Sequence, residues 1–147
     1  MRTETPLNGS RLKRLLFRKS QRLKSNEQFK SVLDRRCSVR NKQLILFAAE
    51  NDCSFPRLGI SVPKAVGNAV IRNRLKRLAR ESFRLYQHKI PQSFDYLLIF
   101  AKLQRTSSDK KVRNKTKLSK LDEVKEAFIK LALSATEKVN RTKACHN

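Results

Sequence analysis

Apolar residues recur along this chain with two periods, and the switches between them mark its elements. Phe29, Val32 and Leu33 fall at helical spacing behind Ser25-Asn26-Glu27-Gln28. That tetrad fits a capping box: the Ser25 hydroxyl accepts from the backbone amide three residues on, and Gln28 reaches back. The helix it predicts ends near Arg36. Gln43 to Glu50 then reads as a strand, with Leu44, Leu46 and Ala48 on one side and Ile45, Phe47 and Ala49 on the other. Both sides are apolar, so both are predicted to be covered. Asn51, Asp52, Ser54 and Pro56 make a turn. Arg57 to Val62 alternates, with Leu58, Ile60 and Val62 pointing one way and Arg57, Gly59 and Ser61 the other. The small residues Gly59 and Ser61 leave room for something to lie on that face. Cys37 to Val39 is a candidate for a short extra strand.

Pro63 ends the second strand, Gly67 supplies a flexible turn, and Asn68 caps a helix that runs to about Tyr86. On a wheel, Ile71, Leu75, Leu78, Ser82 and Leu85 share one side, with Ala79 and Tyr86 beside them and Phe83 off the stripe. Arg72, Asn73, Lys76, Arg77, Arg80 and Arg84 fall opposite, and Arg74 lies at the boundary. The apolar stripe is predicted to dock on a sheet and leave the basic stripe free. After Pro91, Asp95 to Ala101 is a third strong strand. Strand, helix and strand then form a βαβ unit, whose two strands are expected in one sheet. Lys102 to Lys120 reads as an exposed basic loop. Ser119 and Asp122 fit a weaker capping box for a last helix, striped by Leu121, Val124, Phe128, Leu131 and Ala135. The chain thus divides into a flexible basic arm at 1–24, one domain at 25–137 and a disordered tail at 138–147.

Charge sharpens this picture. Lys and Arg number 35 against 12 acids among 147 residues, a formal charge of +23. A compact chain with that excess repels itself unless it meets a polyanion, and nucleic acid is the foremost candidate, ahead of an anionic membrane or a merely solvated surface. No stretch approaches the ~18 apolar residues of a membrane span, and Met1 to Phe17 has no apolar core of secretory length. Three cysteines without regular spacing do not read as a disulfide framework, so a reducing, cytoplasmic setting is expected. His88 and His146 have no metal-spaced cysteine partners. The acids are scattered, where a metal-dependent nuclease needs clustered carboxylates. Neither a His pair nor a Ser-His-Asp arrangement is visible. No catalytic residue and no bound metal or cofactor is expected on this chain.

A basic amphipathic helix alone is a weak signal, since surface, membrane and nucleic-acid helices share it. Its apolar side carries Ile, Leu, Ala and Ser, as a core face does. Its other side is rich in Arg, whose planar fork suits phosphate. Arg72-Asn73-Arg74 also stands near the helix start, where backbone amides favour an anion. Over Val62-Pro63-Lys64-Ala65-Val66-Gly67-Asn68-Ala69-Val70-Ile71-Arg72-Asn73-Arg74-Leu75-Lys76-Arg77-Leu78, continued by Arg80-Glu81 and Phe83-Arg84, the chain resembles the bacterial ribonuclease P protein component. The resemblance extends from about Leu23 to Lys102 and includes Asn26-Glu27-Gln28-Phe29, Arg57-Leu58-Gly59-Ile60-Ser61-Val62 and Asp95-Tyr96-Leu97.

The resemblance implies an α+β two-layer sandwich like the second domain of ribosomal protein S5, ordered α-β-β-(β)-α-β-α, with a left-handed βαβ crossover in place of the usual right-handed one. It implies a partner RNA that is the catalyst, using Mg²⁺ to cut the 5′ leader from precursor tRNA, with one protein per RNA and no membrane. It assigns RNA binding to Lys64, Asn68, Arg72, Asn73, Arg74, Lys76, Arg77, Arg80 and Arg84. It assigns a leader cleft to Phe29, Leu33, Ile45, Phe47 and Ser61. Bare chemistry leaves Phe29 and Phe47 open between core packing and base stacking. Two positions depart from the family pattern: Leu33 stands where a second Phe is common, and Ala65 where a second Lys is common. A structural ribosomal protein, or a basic protein of DNA or membrane surfaces, remains the competing reading.

Overall fold

The computed structural model describes residues 16–101 and 121–145. The basic loop expected at 102–120, Ser119 of the second capping box, the arm up to residue 15 and His146 lie outside the described residues. The first helix, α1 (Asn26–Asp34), is followed by β1 (Ser38–Arg40), β2 (Leu44–Glu50) and β3 (Arg57–Ser61). Then come α2 (Ala69–Tyr86), β4 (Phe94–Phe100) and α3 (Leu121–Ala144). The capping box forms as read: the Gln28 amide donates to the Ser25 hydroxyl at 3.1 Å, and the Ser25 amide donates to Gln28 Oε1 at 3.2 Å. The helix closes on Arg36, which adopts φ 53° and donates its N–H to the Leu33 carbonyl at 3.0 Å. Left-handed backbone is a common helix stop, usually made by glycine.

The four strands form one sheet in the order β1-β2-β4-β3. β3 and β4 are parallel, and the other pairs are antiparallel. The βαβ unit is therefore real, with α2 as its crossover. One face carries the main core. Leu44, Leu46, Ala48, Leu58, Tyr96, Leu98 and Phe100 point there and meet α2 and α3. Aromatic rings run through this layer in edge contacts: Phe17 to Phe83 at 5.1 Å between centroids, Phe83 to Phe128 at 6.3 Å and Phe128 to Tyr96 at 6.4 Å. Burial pushes the Tyr96 phenol above its ordinary range, and its hydroxyl donates to the Pro91 carbonyl at 2.8 Å.

Four sequence expectations need correction. Phe83 is fully buried, not off the docking stripe, because Phe17 and Phe128 close on it from two sides. The arm is not flexible throughout: Gln21 and Leu23 are buried, and the Leu23 amide donates to Leu58 beside β3 at 3.1 Å. The domain thus begins near Phe17. The tail after 138 is helical to Ala144, since Thr136 and Val139 extend the buried stripe of α3 beyond Ala135. Gly67 has φ 167°, an extended value open to any residue; what it provides is space, because a Cβ there would sit 3.1 Å from the Ile71 side chain.

One polar lock was not anticipated. Arg57 and Asp95 are directly paired across β3 and β4, and Arg57 donates from Nε at 2.7 Å and from its terminal nitrogen at 2.6 Å. Asn51 Nδ2 adds a third donor to Asp95 at 2.7 Å. The bonds to Asp95 hold the Arg57 guanidinium above its ordinary pKa. The carboxylate is only 7% exposed. Removing it strands a half-buried guanidinium, so Asp95→Ala is expected to lower unfolding stability by about 3 kcal/mol. A urea titration checks this, and a change within about 0.5 kcal/mol would mean that the pair is not holding the parallel strands.

Candidate nucleic-acid interface

The other face of the sheet is covered over part of its area. Leu23, Val32, Ala49 and Leu97 make a second small core there, with Phe29, Phe47 and Ile99 packed against it. The helix that covers it, α1, is nine residues long. It contacts the central strands β2 and β4. Gly59 decides how closely this layer seats: a Cβ at that position would lie 3.0 Å from Phe29 Cε1 and 3.2 Å from Leu23 Cβ. The Phe29 ring therefore rests where the Gly59 side chain would be. Of the two small residues expected to leave room on this face, Gly59 is covered by that ring and Ser61 stays partly accessible.

Beyond α1 the sheet is open among the described residues. Ile45, Phe47 and Ile99 are each half-buried, as are Phe29 and Ser61. The expectation that both faces of β2 are covered thus holds for its Leu44, Leu46, Ala48 side and fails for Ile45 and Phe47. Register places Ile45 opposite Ile99, and Ile99 opposite Ser61. Three of the residues assigned to the cleft therefore share one open surface with Ile99, and Phe29 borders it. Leu33 is 39% exposed, on α1. Ile99 was missed because β4 reads as a uniformly apolar run, in which only the register distinguishes the open side.

The basic helix begins eight residues after Ser61. Asn68 caps it, its Oδ1 accepting from the Ile71 amide at 3.0 Å. Burial centres on Leu75, Ala79, Ser82 and Phe83. Burying Phe83 turns the helix relative to the wheel reading. Asn73, Arg74, Arg77 and Arg80 are exposed, while Arg72 and Lys76 become half-buried flanks. Arg72, expected on the free side, has its Nε shielded from solvent with no hydrogen-bond partner among the described residues. The side chain is thus packed at least as far as Nε, as the stems of long basic side chains commonly are. Arg84 makes a bidentate ion pair with Glu81, which holds that carboxyl below the usual carboxylate range. Lys64 stands exposed on the one-turn 3₁₀ helix Lys64–Val66.

The protein thus carries exposed cations and, on the α1 face of its sheet, a shallow apolar floor, a combination that suits a polyanion whose bases are not already stacked in a duplex. Among the described residues no three His, Cys, Asp or Glu side chains gather to hold a metal ion. Cys37, Cys53 and Cys145 are all free thiols.

Known proteins resemble the chain over this whole unit. The family model described as Ribonuclease P matches residues 17–138. The ribonuclease P protein component of Alkaliphilus oremlandii is 45% identical over 78 residues, covering 53% of this chain and 68% of that one. That of Clostridium botulinum is 40% identical over 93 residues, covering 63% and 81%. Among solved structures, the RNase P protein from Thermotoga maritima superposes with a TM-score of 0.63 at 28% identity, covering 76% of this chain and 94% of that one. The Staphylococcus aureus protein gives 0.61 at 28%, covering 76% and 91%.

The fit of Phe29 over Gly59 generates a direct test. Gly59→Val is expected to push the Phe29 ring off the sheet and loosen α1, lowering stability by about 1–3 kcal/mol. Hydrogen exchange of the α1 amides, measured beside urea unfolding, reads the local effect. Unchanged protection of α1 would show that the ring does not depend on the missing side chain.

Proposed function

The chain belongs to the ribonuclease P protein family, and from that premise we propose that its open cleft takes the single-stranded 5′ leader of precursor tRNA. The family places it as the protein subunit of ribonuclease P, a ribonucleoprotein that processes the 5′ ends of tRNA. Its partner is RNA, and no helix among the described residues is long and apolar enough to cross a membrane. In our reading the RNA partner carries the Mg²⁺-dependent cleavage, one protein serves each RNA, and the complex works in the cytoplasm. The observation that carries the reading is the open patch of half-buried Ile45, Phe47 and Ile99 on one face of the sheet, in a chain whose Lys64, Arg77 and Arg80 are also exposed. The floor offers contact to unpaired bases, and the cations offer contact to phosphate. The fit of the chain to the family over 17–138 disfavours the structural ribosomal reading.

Adding the protein to its cognate ribonuclease P RNA is expected to stimulate 5′ cleavage of precursor tRNA at low Mg²⁺. Absence of stimulation with that RNA would remove the proposal. Within the complex, Arg77→Ala and Arg80→Ala are each expected to flatten the salt dependence of RNA affinity by roughly one unit of slope. Arg72→Ala is expected to lower folding stability as well, because its stem is packed. Equal salt slopes for wild type and the Arg77 and Arg80 variants would mean that these side chains do not meet phosphate.

A further inference from the structure

The open floor of the sheet has two rims, at the edge strands β3 and β1. Pairing register aligns Arg40, Ile45, Ile99 and Ser61 in a single row across all four strands. At about 4.8 Å between strands, the row spans roughly 14 Å. Ser61 ends it on the β3 edge, with exposed Lys64 three residues on. Arg40 ends it on the opposite edge. Its neighbour Val39 packs into the helical core, so Arg40 faces the open side by strand alternation. It is exposed, and among the described residues no carboxylate pairs with it. The strand end that carries it is fixed: the Gln43 and Leu44 amides donate to Asn41 Oδ1 at 2.8 and 2.7 Å, and the Asn41 amide donates to Leu44 at 2.9 Å. A guanidinium held on a closed turn loses less freedom on binding than one on a loose loop.

We propose that Arg40 is a specificity-determining contact for the leader, one phosphate of which it holds at the far rim while bases lie on Ile45 and Ile99. The proposal rests on the reading that the cleft takes the leader. The occupant is RNA and not an apolar peptide, because the row ends on a cation at Arg40 and is followed by another, Lys64, three residues beyond its Ser61 end, on a chain of charge +23. The Arg fork matches two phosphate oxygens at once. The composition of the rims fits this division. Lys64 is followed by uncharged Ala65 on the β3 side, and Arg40 supplies a cation on the other.

The test uses the full protein assembled with its cognate RNA, and compares precursor tRNA carrying a long leader with mature tRNA across a salt series. Arg40→Ala is expected to lower affinity for the precursor about fivefold and to reduce its salt slope by roughly 0.7. Affinity for mature tRNA should not change, and Arg40→Lys should recover part of the loss. Phe47→Ala is measured alongside. If Phe47→Ala removes leader-dependent affinity and Arg40→Ala does not, the rim contact is wrong while the cleft reading stands. If neither variant alters the ratio of precursor to mature affinity, the cleft reading falls and takes the rim contact with it. Equal loss on both RNAs overturns the proposal, because Arg40 would then act away from the leader.

Discussion

A short helix laid on a wide sheet is the constraint from which the site follows. At 1.5 Å per residue, the nine residues of α1 reach only about 14 Å. The strands beneath are up to seven residues long, about 23 Å, and there are four of them. On the opposite face α2 and α3, with 18 and 24 residues, cover the sheet and bury Leu44, Leu46 and Leu98 completely. The apolar surface left over beside α1 is thus a geometric remainder of one small element. Gly59 keeps that element seated, since the Phe29 ring occupies the volume of the side chain it lacks. Without that seat α1 would ride higher, and the step between covered and open halves of the sheet would blur.

Packing on the covered face also sets what the basic helix can offer. Phe83 is gripped between Phe17 and Phe128, and this grip rotates α2 about its axis. Arg74, Arg77 and Arg80 are thereby presented to solvent, and Arg72 and Lys76 are drawn to the flanks. The aromatic chain at the centre of the core is therefore also the device that orients the charges. Substitutions at Phe17 or Phe128 would act on RNA affinity at a distance, through the angle of the helix and without touching RNA.

Much of this was legible in the residues. The Ser25–Gln28 box, the alternation at Arg57–Ser61 and the Asn68 cap are local patterns with local causes, and each fixed an element to within a residue or two. The basic stretch from Lys64 to Arg84 carried the family by motif. What was not legible depends on partners distant in sequence. Phe83 reads as off-stripe until Phe17, outside the expected domain, is brought against it. Asp95 reads as a strand flank until the parallel register sets it opposite Arg57. Ile99 and Arg40 look unremarkable until the register places them in one row with Ile45. Periodicity states which side of an element is apolar, but only pairing states what lies beside it.

In the proposed reading, this division of labour lets one small protein favour a tRNA precursor over the many other RNAs around it. Phosphate contacts from an Arg-rich helix are strong, salt-dependent and indifferent to sequence. A helix of this kind would hold duplex and single strand alike. The floor discriminates: in a paired A-form helix the base faces are stacked inside, and a shallow apolar surface has nothing to meet. Only an unpaired strand can turn its bases onto Ile45, Phe47 and Ile99. Because Ser61 at the edge of the floor precedes the first residue of α2 by only eight positions, grip and discrimination are tied by a short piece of chain containing Pro63 and the turn at Lys64–Val66. In the proposed reading, RNA held by the helix thereby brings its single-stranded end over the floor, and a fully paired RNA gains the first interaction without the second.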